Sequence, residues 1–330
     1  MITPSESAEF AFWKVRGMDV FTKEENRNYT SSTSIKSSAL PTGMAIFLFA
    51  LNVFLSITAS LGNILILIAI HKVSSLHPPT KLLFRCLAAT DLCVGLVTQP
   101  LDAMLSLSYI TAFNSSVSFC VNKVNYASIF VFCGVSIVVS TAISVDRLLA
   151  LLLGLRYRHV VTLRRIRAIL ICSWVIAFSV ALVASFWRKR FSLIIISFIV
   201  ILCLVISTFC YTKIFLRLRQ HQVQVQEHVQ QGQPNEQVTP LNIAKYKKTV
   251  SSIAWMQLAL VACYVPFGVV LIIMNVNGWG RTRQIVWSVF ATVLLYSNSS
   301  LNPILYCWKI SEVREAVKDT IGQFLNFYRY

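Results

Sequence analysis

"FSLIIISFIVILCLVISTFCYTKIFLRLR" runs from Phe191 to Arg219, and its first charge, Lys213, follows 22 uncharged residues. About 20 apolar residues suffice to carry a helix through bilayer hydrocarbon. A membrane barrel would need strand-sized alternating segments instead, and the chain has none, so this stretch reads as a spanning helix. Six more apolar stretches resemble it, giving spans near 43–71, 79–107, 118–152, 163–187, 191–219, 244–276 and 284–307. The expected fold is an all-α membrane protein, a seven-transmembrane helix bundle. A short amphipathic helix follows the last span, where Ile310, Val313, Val317, Ile321 and Phe324 recur at three- and four-residue steps among Lys309, Arg314 and Lys318.

Composition agrees. Apolar residues make up 56% of the chain and charged residues 13%, with a mean hydropathy of +0.65. A water-soluble domain of that composition would expose patches that aggregate. The net charge of +17 does not imply nucleic acid as a partner, because the basic residues lie in the connections between apolar spans. The nine cysteines lie almost wholly within spans and form no CxxC pair, so neither a disulfide framework nor a zinc site is expected. The first 40 residues lack a basic-then-apolar leader, and span one is expected to direct insertion.

Lysine and arginine bias sets the orientation. With the amino terminus extracellular, 19 of these residues fall inside and 11 outside. The glycosylation sequons at Asn28 and Asn114 then also fall outside. The expected organisation is an extracellular segment 1–42, the bundle 43–307 with a glutamine-rich inner loop at about 220–243, and a cytoplasmic helix and tail 308–330.

A buried ionisable residue in a membrane is a functional candidate, since it costs about 2.5–3.5 kcal/mol to insert at a helix centre. Asp91 is such a residue, ten positions past Lys81 and so near the midplane. Ser136, Asn298, Ser299 and Asn302, with Asn63, are its candidate companions. A carboxylate with several neutral oxygens suits a small hard cation, here sodium. The same set equally suits an interhelical hydrogen-bond network. Pro266 and Pro303 each free a backbone carbonyl and kink a span, which either marks a switching element or is ordinary for membrane helices. At Asp146-Arg147 an acid stands beside a base at the end of span three. Positive-inside bias explains the arginine but not the acid.

Taken in order, these motifs resemble those of the rhodopsin-like (class A) G protein-coupled receptors over nearly the whole chain. Gly62-Asn63, "LAATD" ending at Asp91, Asp146-Arg147-Leu148, Trp174, Tyr211, Cys263-Tyr264-Val265-Pro266 and Asn302-Pro303-Ile304-Leu305-Tyr306 carry the resemblance. It implies a plasma-membrane receptor that binds an extracellular ligand and activates a heterotrimeric G protein by outward movement of span six. It implies a switch built from Asp146, Arg147, Tyr211, Tyr264, Pro266, Asn302, Pro303 and Tyr306. By position, it places ligand contacts at Asp102, Tyr126, Ile129, Phe130, Cys133 and Tyr264.

Several residues depart from the family pattern. The "RKR" connection at 188–190 has no cysteine, so Cys120 lacks the family's usual disulfide partner. Cys203 stands where span five usually has proline, a combination that resembles the melanocortin, cannabinoid and lysophospholipid branch. Tyr264 replaces the usual cavity-floor tryptophan, and Tyr246 stands where some members have an acid. Ile129 in place of the amine-binding aspartate disfavours simple biogenic amines, and Tyr296 in place of a lysine disfavours retinal. A net positive mouth (Lys123, Arg188, Lys189, Arg190, Arg281 and Arg283 around Asp102) either attracts an anionic or zwitterionic ligand such as a lipid or acidic peptide, or is a set of solvated loop charges. The alternative reading is a transporter coupling ions through Asp91, but no repeat is detectable. An enzyme is not expected, because every histidine lies in an inner connection.

Overall fold

The computed structural model describes residues 41–327 except 74–75, 109, 112–114, 187–188, 231–239, 276–280 and 310. Side chains are described for fewer, the largest further gaps being 224–254 and 274–284. The sequons at Asn28 and Asn114 and the side chains of the 188–190 connection, Tyr246 and Phe324 lie outside the described residues.

Seven long helices follow one another. Span one is Thr42–Lys72. Span two is Pro78–Cys93, a π-helical turn Val94–Thr98, then Gln99–Ser108. Span three is Ser115–Ser128, a second π turn Ile129–Cys133, then Gly134–Leu153. Spans four to seven are Leu163–Phe186, Lys189–Gln230, Pro240–Asn275 and Arg281–Lys309. The terminal helix is Ser311–Phe327. No strand occurs among the described residues.

The membrane-facing surface explains why these helices read as apolar on every side. Phe54 and Leu61 on span one and Phe198 and Val205 on span five are more than half exposed. In water they would be an aggregation surface; in hydrocarbon they face their solvent. Among the described residues, five helices are long and apolar enough to cross a membrane by themselves, and span six has an apolar stretch at Gln257–Ile273. Span seven is the more polar one for a structural reason: Asn298, Ser299, Ser300 and Asn302 are all buried inside the bundle. The glutamine-rich tract is helical through Gln230, although its polarity reads as a loop. Glutamine is a good helix former, and a helix entering from the membrane is already nucleated.

Span three is the central post, packed against spans two, four and five, while span seven packs against spans one, two and six. The terminal helix packs against the end of span one. Its Val313, Ala316, Val317 and Thr320 are buried, Ile321 is exposed, and Lys72 donates to Thr320 Oγ1 (3.1 Å) and Gln323 Oε1 (2.8 Å).

Two glycines set the closest helix approaches. A Cβ on Gly62 would lie 2.9 Å from Pro303 Cγ, and one on Gly95 would lie 2.7 Å from Ser60 Oγ. Beside the second contact, Ser56 donates to the Gly95 carbonyl at 2.6 Å. Overpacking a tight contact costs about 1–3 kcal/mol. Gly95→Val and Gly62→Val are therefore expected to lower the melting temperature by roughly 2–12 °C. Gly322→Ala, where a Cβ meets nothing within 4 Å, should leave it unchanged or raise it.

Candidate functional site

Three groups of functional side chains emerge. In the middle of the bundle, Asp91 is fully buried. Its Oδ1 accepts from Ser136 Oγ at 3.0 Å and Ser299 Oγ at 2.8 Å, and its Oδ2 accepts from Asn302 Nδ2 at 2.7 Å. Spans two, three and seven thus meet on one carboxylate. Asn63 from span one joins indirectly, donating to the Ser299 carbonyl at 3.0 Å. Asn298, expected in the same set, makes no bond to Asp91: its buried Nδ2 has no partner among the described residues. It lines a void of about 20 Å³ with Asn302, Tyr211 and Tyr306, room for about one water.

At one end of the bundle stands Arg147. Its side chain is 42% exposed, and its guanidinium lies 3.4 Å from Asp146 Oδ2 and sits over the Phe84 ring at 5.7 Å. Asp146 itself is buried and has two further partners that spacing does not reveal. Thr80 Oγ1 donates to Oδ2 at 2.9 Å, and Tyr157 Oη donates to Oδ1 at 2.6 Å. Tyr157 reaches back because span three ends at Gly154, whose φ of +49° turns the chain. The only sequence signal for it was an aromatic residue set between two arginines in "RYR" at 156–158. Next to this group, Tyr306 packs edge-on against Phe84 at 5.1 Å, and Tyr211 is buried with Leu148, Cys210, Ile214 and Leu218.

Among spans three, four, five and six, a cavity of about 510 Å³ is lined by Ile129, Phe130, Cys133, Ile137, Val200, Cys203, Tyr264 and Leu295, and it opens onto the membrane-facing surface past the exposed Ile169, Cys172 and Ile176 of span four. Four of the six expected ligand contacts, Ile129, Phe130, Cys133 and Tyr264, are in this wall. Tyr126 stands behind it, edge-on to Phe130 at 5.9 Å. Asp102 is not in the lining; it bonds to Asn52 and Asn125 instead. The cavity's few polar groups are already engaged. Ser173 donates to the Leu170 carbonyl at 2.7 Å and Tyr264 to the Cys133 carbonyl at 3.4 Å. All nine cysteines are free thiols, Cys120 exposed among them.

The model of the 7 transmembrane receptor (rhodopsin family) matches residues 62–306. The chain belongs to the rhodopsin family of seven-transmembrane receptors. Among its relatives, adenosine receptor A3 of Bos taurus is 26% identical over 291 residues, covering 81% of this chain and 86% of that one. Adenosine receptor A2b of Bos taurus is 33% identical over 142 residues, 43% of this chain and 41% of its own. Adenosine receptor A2b of Homo sapiens is 31% identical over 139 residues, 40% and 38% respectively. This receptor signals through G proteins, is a multi-pass protein of the plasma membrane, and is not an enzyme. Membership disfavours the transporter reading of Asp91. The likeness to the melanocortin, cannabinoid and lysophospholipid branch rests on loop length and Cys203 alone, while these relatives are adenosine receptors.

Removing the Tyr157 hydroxyl leaves a buried carboxylate oxygen short of a donor, a loss of about 1.5–3 kcal/mol for a bond to a charged group. Tyr157→Phe is expected to lower the melting temperature measurably. The loss should shrink in the Asp146→Asn background, where no charge needs the bond. Equal losses in both backgrounds would show that the phenol acts through packing.

Proposed function

We propose that this receptor takes an apolar, lipid-like ligand and answers it through Arg147. The observation that carries the ligand class is the 510 Å³ cavity, whose wall has almost no unengaged polar atom. A buried polar group left without a partner costs about 1–3 kcal/mol. Adenosine, named for the relatives, carries ribose hydroxyls and ring nitrogens that would go unpaired against such a wall. An acyl chain or other apolar body would pair with nothing and lose nothing.

The rest of the reading follows the family. The amino-terminal segment 1–42 is extracellular, with Asn28 and Asn114 as glycosylation acceptors. Residues 43–307 form the bundle, and the Arg147 end together with 308–330 faces the cytoplasm. Asp146 holds Arg147 until ligand binding moves span six about Pro266. Tyr264 at the cavity wall, the kink at Pro303 with Asn302, and Tyr211 and Tyr306 beside the void near Arg147 relay that movement. The heterotrimeric G protein then meets Arg147. The ligand acts only by binding the active packing more tightly than the resting one. Asp91 with Ser136, Ser299 and Asn302 would hold a sodium ion, since one carboxylate and three neutral side chains converge there. The ion would supply the countercharge that hydrocarbon denies Asp91.

The test is nucleotide exchange on a panel of G proteins with receptor in membranes, challenged separately with long-chain lipids and with adenosine. Gly134 lines the cavity, and a Cβ there meets nothing within 4 Å. Gly134→Leu should therefore fill the cavity without disturbing the helix, shifting lipid potency about tenfold or more, the equivalent of ~1.4 kcal/mol. Arg147→Ala should abolish the response at unchanged surface expression. Stimulation by adenosine that Gly134→Leu leaves untouched would overturn the ligand class while leaving the receptor intact.

A further inference from the structure

Span two carries a second carboxylate, Asp102, one that the Arg147 relay and the apolar cavity do not use. We propose that Asp102 is the centre of a second cation site, in the half of the bundle away from Arg147, that takes a monovalent cationic group. The site does not depend on which ligand fills the apolar cavity.

Asp102 Oδ1 accepts from Asn125 Nδ2 of span three at 3.0 Å, and Oδ2 accepts a longer 3.4 Å bond from Asn52 Nδ2 of span one. Asn52 Nδ2 is shared with the Leu48 carbonyl at 3.1 Å. The carboxylate fixes how both amides face, because turning either one over would set oxygen against oxygen. Their Oδ1 atoms are thereby left as acceptors. Both are buried, with Asn52 at 0% and Asn125 at 3% exposure, and neither Oδ1 has a hydrogen-bond partner among the described residues. Gln99, one turn before Asp102 on the same helix face, is fully buried with its amide oxygen and nitrogen both unpartnered. From span seven, Tyr296 is fully buried with its hydroxyl unpartnered, and Asp102 and Asn125 are among its polar neighbours.

Four helices thus contribute one carboxylate, two amides bonded to it whose oxygens have no hydrogen-bond partner among the described residues, a buried glutamine one turn away and a neighbouring phenol. Each unused buried polar atom is expensive alone, and together they are of the kind a cation needs. Asp91, by contrast, receives three donors no longer than 3.0 Å, whereas Asp102 has two, one of them long. Among the described residues no lysine or arginine forms an ion pair with Asp102. Lys123, two positions before Asn125, sits over the Phe119 ring at 4.4 Å. With a single carboxylate in the set, a monovalent charge is matched and a divalent one is not. Two sources supply that chemistry: a free alkali ion, or the ammonium group of an amphiphile.

The experiment is thermal unfolding of the purified full chain, followed by tryptophan fluorescence, in the Asp91→Asn background so that the central carboxylate does not contribute. Sodium chloride is compared with N-methylglucamine chloride at equal ionic strength. Butylammonium chloride is then tested in the N-methylglucamine buffer. A saturating cation should raise the melting temperature by about 2–6 °C, and adding Asp102→Asn should abolish the rise. A response to sodium alone assigns a free ion; a response to butylammonium alone assigns an ammonium head. Should Asp102→Asn fail to fold, Asn125→Ala and Gln99→Leu keep the carboxylate and remove one oxygen each, and each should raise the half-maximal cation concentration severalfold. No response to either cation would mean that only water fills the cluster, and a response that survives these substitutions would place the cation elsewhere; either result overturns the proposal.

Discussion

A single carboxylate in hydrocarbon organises this bundle. Asp91 is tolerable there because Ser136, Ser299 and Asn302 bring donors within 3.0 Å, and removing such partners from a buried charge is strongly destabilising. To deliver two of those three, span seven must turn its most polar face inward. That is why a helix of modest apolarity still belongs among the spans. The same inward turn brings Pro303 against Gly62, where a methyl group would not fit. The packing of spans one, two, three and seven therefore follows from one ionisable residue and the donors it requires.

The pair Asp146-Arg147 solves a different problem at the end of the same post. Arg147 keeps its head partly in water and lies over Phe84, as a long cationic side chain at a membrane boundary does. Asp146 is buried and acts as the acceptor for three elements at once: the start of span two through Thr80, the turn after Gly154 through Tyr157, and Arg147 itself. Its bond to Tyr157, at 2.6 Å, is shorter than its 3.4 Å contact with Arg147. The acid is therefore held independently of the arginine, and the arginine can leave without stranding it. A charge pair in which only one member is locked is suited to switching.

Much of this was legible in the sequence. Hydropathy located seven spans within a few residues of their ends, apart from the helix that continues through Gln230. Asp91 was legible because a charge in an apolar run has few explanations. Its donors were legible only as a set: Asn298 and Asn302, one turn apart, read as sharing a face, yet Ser299 and Asn302 are the span-seven pair that bonds it. Asn298 was not separable from them by spacing, since helical periodicity allows neighbours on either side of a face. Thr80 and Tyr157 were illegible because they meet Asp146 from 66 and 11 residues away, and nothing local links a turn to a helix end. The apolar cavity was half legible: its span-three wall follows from position, but its walls from spans four and five depend on how those helices lean.

The π-helical turn at Val94–Thr98 sets which neighbours Asp102 meets, three helical turns beyond Asp91. They lie 11 residues apart, and an unbroken α-helix would return the second to within roughly 20° of the first. Both would then face the centre, two carboxylates stacked along one seam. The π turn absorbs about one extra residue, which carries Asp102 about 100° back around the helix. Asp91 accordingly bonds to spans three and seven, while Asp102 bonds to span one through Asn52 and to an earlier turn of span three through Asn125. Ser56 of span one, bonded to the Gly95 carbonyl inside that turn, takes up an acceptor that the changed helical register presents to it. The sequence marks this place: Thr98 and Gln99 interrupt the apolar run, and Pro100 lacks the N–H that an unbroken α-helix would bond to Leu96. One inserted residue thus re-aims the second carboxylate, so that two acids three turns apart on one helix face different neighbours.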